Sequence, residues 1–167
     1  YPLRRQRQMC IRDRFDQVQQ QKGILSVTKK LFIEKIGSDG KQELLPLGKE
    51  KLKTGDKVIT RLTLSLKQDM DFLYLKDFRA ACFEPIGQLS GNQWKFGTVY
   101  YEESKDAVTN FFFNSLAKGT YVLEYPVWVN QAGTYQDGIA TFQSMYAPEY
   151  TAYSCLLYTS PSPRDKR

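Results

Sequence analysis

Between Lys57 and Leu66 the chain alternates. Val58, Leu62, Leu64 and Leu66 fall on one side of an extended backbone, and Arg61, Thr63 and Ser65 fall on the other. Successive side chains of a strand point to opposite faces, so a period of two marks a strand with one face in a core and the other in water. Comparable stretches predict strands at 24–36, 71–77, 96–102, 108–116, 120–130 and 138–146. Turn-forming residues separate them: Ser38-Asp39-Gly40-Lys41, Thr54-Gly55-Asp56, Ser104-Lys105-Asp106, Lys118-Gly119 and Ala132-Gly133. Asp39-Gly40 has the chemistry of a tight hairpin turn. An irregular connection is expected around Glu84-Pro85 and Leu89-Ser90-Gly91-Asn92. Roughly seven to eight strands at short spacing, with no helical period among them, predict an all-β fold, an antiparallel β-sandwich.

Two positions refine this picture. Pro126 lies inside the 120–130 strand, and because proline has no N–H for a ladder it is expected at an edge or bulge. In Phe111-Phe112-Phe113 the alternation must turn Phe112 away from its neighbours, so at least one ring leaves the main core face. The wider aromatic set, with Tyr121, Tyr125, Trp128, Tyr135, Tyr146, Tyr150 and Tyr153, reads first as sandwich core and rim and second as a partner surface.

Charge changes the picture only until its location is noticed. The formal net charge is +6, but eight of the 24 basic residues and only two of the 18 acidic ones lie in residues 1–14 and 155–167. Those ends hold the segments RRQRQMCIRDR and CLLYTSPSPRD, which look like translated sequencing adapters. The codons ATG TGT ATA AGA GAC A would encode Met9-Cys10-Ile11-Arg12-Asp13, and the reverse complement of that DNA contains TGT CTC TTA TAC ACA, which encodes Cys155-Leu156-Leu157-Tyr158-Thr159. One short DNA read in both directions thus brackets the chain, and such scars are set aside in fold reasoning. The expected organisation is an adapter-derived stretch over 1–14, the end of a preceding helical domain over 15–23, the β-sandwich over 24–154, and a second adapter-derived stretch over 155–167. Between the ends the chain is neutral, which removes the case for a nucleic-acid partner. It has no apolar run long enough to span a membrane as a helix.

The residue inventory excludes most catalysis. The chain has no histidine, so Ser-His-Asp and Cys-His machinery and histidine-containing zinc sites are absent from it. No phosphate-binding glycine loop occurs. Outside the ends the sole cysteine is Cys82, in Ala80-Ala81-Cys82-Phe83, and it reads as a small buried hydrophobe. Asp69 with Asp71 could share a calcium ion at their i, i+2 spacing, but these two, like the adjacent Glu102 and Glu103, read better as solvated turn residues. The expectation is no catalytic, cofactor-binding or metal-binding residue, and no cofactor.

From about Thr54 onward the motifs resemble the last domain of bacterial alpha-2-macroglobulin-like protease inhibitors. Gly55-Asp56-Lys57-Val58 opens a strand, and Asp77-Phe78-Arg79-Ala80-Ala81-Cys82-Phe83-Glu84-Pro85 is similar to the family's Asp…Pro-Ala-Gly-Phe-Glu-Pro segment. Gly119-Thr120-Tyr121 with Tyr125, Gly133-Thr134-Tyr135, and Met145-Tyr146-Ala147-Pro148-Glu149 continue the series in order. Arg79 stands where the family usually has Pro, and Cys82 where it usually has Gly. Cys82 is therefore expected to have an ordinary φ.

The resemblance implies a macroglobulin-type sandwich from a multidomain trap, in which a protease cuts a bait segment and many members capture it through a Cys-Gly-Glu-Gln thioester. Neither bait nor thioester motif lies in this chain. The implied role is a non-catalytic structural and interaction domain in the periplasm or cell envelope. Its implied partners are other domains of the parent chain and, through the parent, target proteases. A rival reading is a carbohydrate-binding or adhesin-type sandwich built on Trp94 and Trp128.

Overall fold

In the computed structural model, residues 23–37, 40–47, 52–87, 90–95, 97–131, 135 and 137–154 are described. The expected adapter ends lie outside them, as does the expected helix end except for Gly23. Eleven strands run in order: β1 Leu25–Ile36, β2 Gln42–Pro46, β3 Lys57–Leu66, β4 Met70–Phe78, β5 Phe83–Pro85, β6 Gly91–Lys95, β7 Thr98–Ser104, β8 Val108–Leu116, β9 Gly119–Val129, β10 Ala140–Ser144 and β11 Thr151–Tyr153. They form two antiparallel sheets, β2-β1-β3-β9-β5 and β11-β10-β4-β8-β7-β6. The predicted all-β sandwich is the observed fold. The additional strands β2, β5, β6 and β11 are three to five residues long and sit at or next to the sheet rims. Such short segments carry too few residues to show a period of their own.

Register follows from burying one parity of each long strand. On β3, Val58, Leu62 and Leu64 are fully buried and Leu66 nearly so, as their alternation predicts. The outward residues pair across strands. Glu34 lies opposite Lys57 with a 2.7 Å ion pair, and Arg61 lies opposite Glu124 and bonds to it. The Arg61 guanidinium also covers the Phe32 ring at 4.4 Å. Phe111 and Phe113 enter the core, while Phe112 points outward and stacks on Tyr74 at 4.8 Å, as the alternation requires. Gly40, with φ 72°, turns the β1–β2 hairpin where Gly37 N donates to Lys41 O.

Pro126 stands opposite Ile59 inside β9, an interior strand between β3 and β5, rather than at the edge or bulge expected from its missing N–H. Its carbonyl accepts from Ile86 N just past the end of the three-residue β5, so the proline faces the side on which β9 is becoming an edge. The two sheets meet at a corner where β1 lies against β10 and β11.

Candidate functional site

Five inward positions of β1 read Leu25, Val27, Lys29, Leu31 and Ile33, and all are buried. Lys29 is thus a lysine in a core register. Its ammonium is 2.7 Å from Asp77 Oδ1 on β4 and 2.9 Å from Asp137 Oδ2 in the segment before β10. It also donates to Phe78 O at 2.7 Å and Gly138 O at 3.3 Å. Four oxygens compete for three N–H groups. Asp77 Oδ1 and Asp137 Oδ2 are accordingly held by charge at contact distance, without a hydrogen bond of good geometry.

The remaining carboxylate oxygens are directed more tightly. The Tyr125 hydroxyl donates to Asp77 Oδ2, and Asp137 Oδ1 accepts from Ala80 N at 3.2 Å and Gly138 N at 2.9 Å. All three charged side chains are essentially without solvent contact. Burial pushes the Asp77 carboxyl above its usual range against the opposing pull of Lys29, and burial likewise pushes Asp137 up to about 6. Burial, then the Asp77 charge, raises the Tyr125 phenol well above its ordinary value.

A fourth charge completes the balance. Arg79 is buried and donates to Thr109 Oγ1 and to the Lys105 carbonyl, and its charge favours ionised Asp77. Two cations and two carboxylates therefore share the core near one end of the sandwich. This arrangement went unforeseen in the sequence, although a signal was present: Lys29, Asp77 and Tyr125 each occupy the inward parity of a strand whose other inward residues are apolar.

A second feature lies on the surface. Phe72 has φ 53°, a left-handed conformation that costs a bulky residue about 1–3 kcal/mol. Its ring remains 47% exposed and meets Tyr146 edge-on at 5.1 Å. Tyr146 is 78% exposed and Met145 52%, and Met145 N donates to Phe72 O. Three large apolar side chains are thereby presented to solvent from a hydrogen-bonded platform.

Of the residues singled out in the sequence, Tyr125 and Arg79 join the buried charges and Tyr146 the exposed platform, while Cys82 and the candidate carboxylates join neither. Cys82 is buried, has no positive φ, and burial raises its thiol to about 11, which suits a hydrophobe rather than a nucleophile. Asp69 and Asp71 are exposed, and Asp69 accepts from Lys118 N at 2.7 Å. Glu102 is the exception to the solvated reading of the carboxylates, since burial raises its pKa against Lys95. It lines a cleft of about 290 Å³ between the β5–β9 and β6–β7 edges, with Trp94, Lys95, Glu124 and Pro85. Trp128 is not part of that cleft; it stands on the outer face of β9 opposite Lys57. The two tryptophans that motivated a sugar platform are therefore apart. Among the described residues no three His, Cys, Asp or Glu side chains gather as a metal site, and no helix is long and apolar enough to cross a membrane.

Comparison with solved structures finds the same fold in alpha-2-macroglobulins. Trypsin-activated alpha-2-macroglobulin from Escherichia coli matches with a TM-score of 0.61 at 18% identity, covering 84% of this chain and 11% of that one. Salmonella alpha-2-macroglobulin reacted with methylamine matches with a TM-score of 0.60 at 20% identity, covering 83% of this chain and 9% of that one. A native Escherichia coli alpha-2-macroglobulin spanning domain MG7 to the C-terminus gives 0.60 and 20%, covering 83% of this chain and 24% of that one. The chain thus spans a quarter or less of the length of each of these proteins. No curated protein matches the sequence. Residues 25–149 match the family Bacterial Alpha-2-macroglobulin MG10 domain, so the described sandwich, with its buried charges and its exposed aromatic platform, belongs to that family.

Proposed function

We propose that this chain is a non-catalytic interaction domain of a larger protease-trapping inhibitor and that it docks onto another domain of its parent through Phe72, Met145 and Tyr146. The observation that carries the reading is Phe72. A strained backbone is retained where the surrounding structure or a function holds it, and here the strain exposes a ring beside Tyr146 instead of burying it. Exposed apolar clusters of this kind mark interaction sites. Membership of the MG10 family supplies the partner: neighbouring domains of an alpha-2-macroglobulin-type chain.

In this reading the chemistry of trapping lies elsewhere in the parent, and target endopeptidases are met through it. Alpha-2-macroglobulins of the same fold are described as activated by trypsin and by porcine elastase. A periplasmic or cell-envelope location follows from the same reading, and residues 1–14 and 155–167 are taken as adapter-derived.

Untrimmed genomic sequence upstream of Phe15 provides the test. A reading frame that encodes a helical domain before Phe15 supports the proposal, and native flanking codons in place of residues 4–14 support the adapter reading. A frame that starts near Phe15 behind a signal peptide overturns the inhibitor role. In the recovered parent, Tyr146→Ala should loosen the docked domain, seen as faster proteolytic nicking at its boundary, while leaving the isolated sandwich folded.

A further inference from the structure

The Lys29 cluster contains the parts of a condensation reaction. Nζ of Lys29 touches Asp77 Oδ1 at 2.7 Å and Asp137 Oδ2 at 2.9 Å, with solvent excluded from all three side chains. The other Asp77 oxygen, Oδ2, is held by the Tyr125 hydroxyl, and the other Asp137 oxygen is fixed by two backbone N–H groups. One carboxyl is thus polarised by a phenol, while the second is positioned against the amine as a proton carrier. We propose that Lys29 and Asp77 join as an intramolecular amide, with Asp137 relaying the protons, so that a covalent bond ties the two sheets.

The step balances within the cluster. The Lys29 ammonium passes a proton to the Asp77 carboxylate, giving a neutral amine and a neutral acid. The amine lone pair attacks Cγ of Asp77, and the carbonyl electrons move onto Oδ2, where Tyr125 donates a hydrogen bond as it would to an oxyanion. The nitrogen then loses a proton to Asp137 Oδ2. Asp137 returns that proton to the Oδ1 hydroxyl, which leaves as water as the C–O bond breaks and the Oδ2 carbonyl re-forms. No oxidant or reductant is required. Asp137 ends ionised with Arg79 still charged in the same core, so the site stays neutral.

Three physical terms favour this outcome over a permanent ion pair. The reactants are held at contact by two sheets, which removes the entropic cost of bringing them together. The dry core disfavours charges, and burial pushes both carboxyls towards the neutral form, Asp137 to about 6. Exclusion of water also favours loss of a water molecule and opposes hydrolysis of the product. Asp137 has the geometry and raised pKa of a general acid–base.

Intact mass spectrometry of the folded 167-residue chain, with folding verified by cooperative unfolding, reads the bond directly. The expected mass is one water below the sequence mass. Trypsin should then fail to cut after Lys29 and release a branched peptide joining residues 23–30 to residues 77–79. A folded chain of full mass overturns the proposal. So does a water loss that maps to a succinimide at Asp137-Gly138, or a branch ending at Asp137. Asp137→Asn should restore the full mass in most of the chain while Lys29 and Asp77 stay in place, and if that variant does not fold the wild-type peptide map still decides. Undiminished linkage in folded Asp137→Asn removes the relay role.

Discussion

A Cβ placed on Gly138 would lie 2.3 Å from Phe78 Cβ and 2.5 Å from Phe78 O, so the segment before β10 presses directly on the end of β4. This close approach seats Asp137 beside Lys29, since Gly138 supplies both an N–H to Asp137 Oδ1 and a carbonyl to Lys29. Gly138→Ala must push apart backbone on both sides. Overpacking of this kind costs about 1–3 kcal/mol, and a urea titration should show the loss as a lower midpoint at unchanged slope. An unchanged midpoint would mean that the two segments separate freely.

Lys29→Met keeps the stem and removes the charge, leaving two carboxylates in the core with only Arg79 to offset them. Breaking a buried pair in this way costs about 3–5 kcal/mol. The double variant Lys29→Met with Asp77→Asn should recover part of that loss, because fewer uncompensated charges remain. A double variant no more stable than the single one would show that the lysine acts through packing alone.

The pH dependence has a definite direction. Burial raises the folded Asp137 carboxyl to about 6, whereas an unfolded Asp titrates near about 3.9. The folded chain therefore binds the proton more tightly, and this group's contribution is complete below about pH 4 and is lost as pH rises through about 6. Glu103 is shifted the opposite way by its Asn110 and Lys105 contacts, so its effect appears below the ordinary Glu range. Lowering the pH from 7 to 5 should raise the urea midpoint; a fall over that interval would contradict the assignment.

Cys82 should resist alkylation in the folded chain, since its thiol is buried and raised to about 11. Peptide mapping after iodoacetamide treatment should find Cys82 unmodified under native conditions and modified in guanidinium. Rapid native labelling at Cys82 would show that the core opens there.

Phe72→Gly should stabilise the isolated chain. Relief of the left-handed strain, about 1–3 kcal/mol, outweighs the loss of an edge contact between exposed rings. Thermal unfolding should report a higher midpoint, and a marked drop would show that the ring supports the fold itself.

The long strands were legible in the sequence because each buries one parity: Val58, Leu62, Leu64 and Leu66 on β3, and Phe111 and Phe113 on β8, could satisfy both the period and the core only as strands. The outward turn of Phe112, the turn at Gly40 and the buried Cys82 followed from the same local rules. The neutral body between basic ends was legible too, since charge counting needs no coordinates. What only the tertiary structure decided is the meeting of Lys29, Asp77, Tyr125 and Asp137, which lie on four segments far apart in the chain. Inward parity marks Lys29, Asp77 and Tyr125 as anomalous, but partners are chosen by which sheet faces which, and no local periodicity encodes that. The positive φ of Phe72 belongs to the same class: an aromatic in a strand favours extended backbone, and its contacts with Met145 and Tyr146 come from a distant segment that no local rule names.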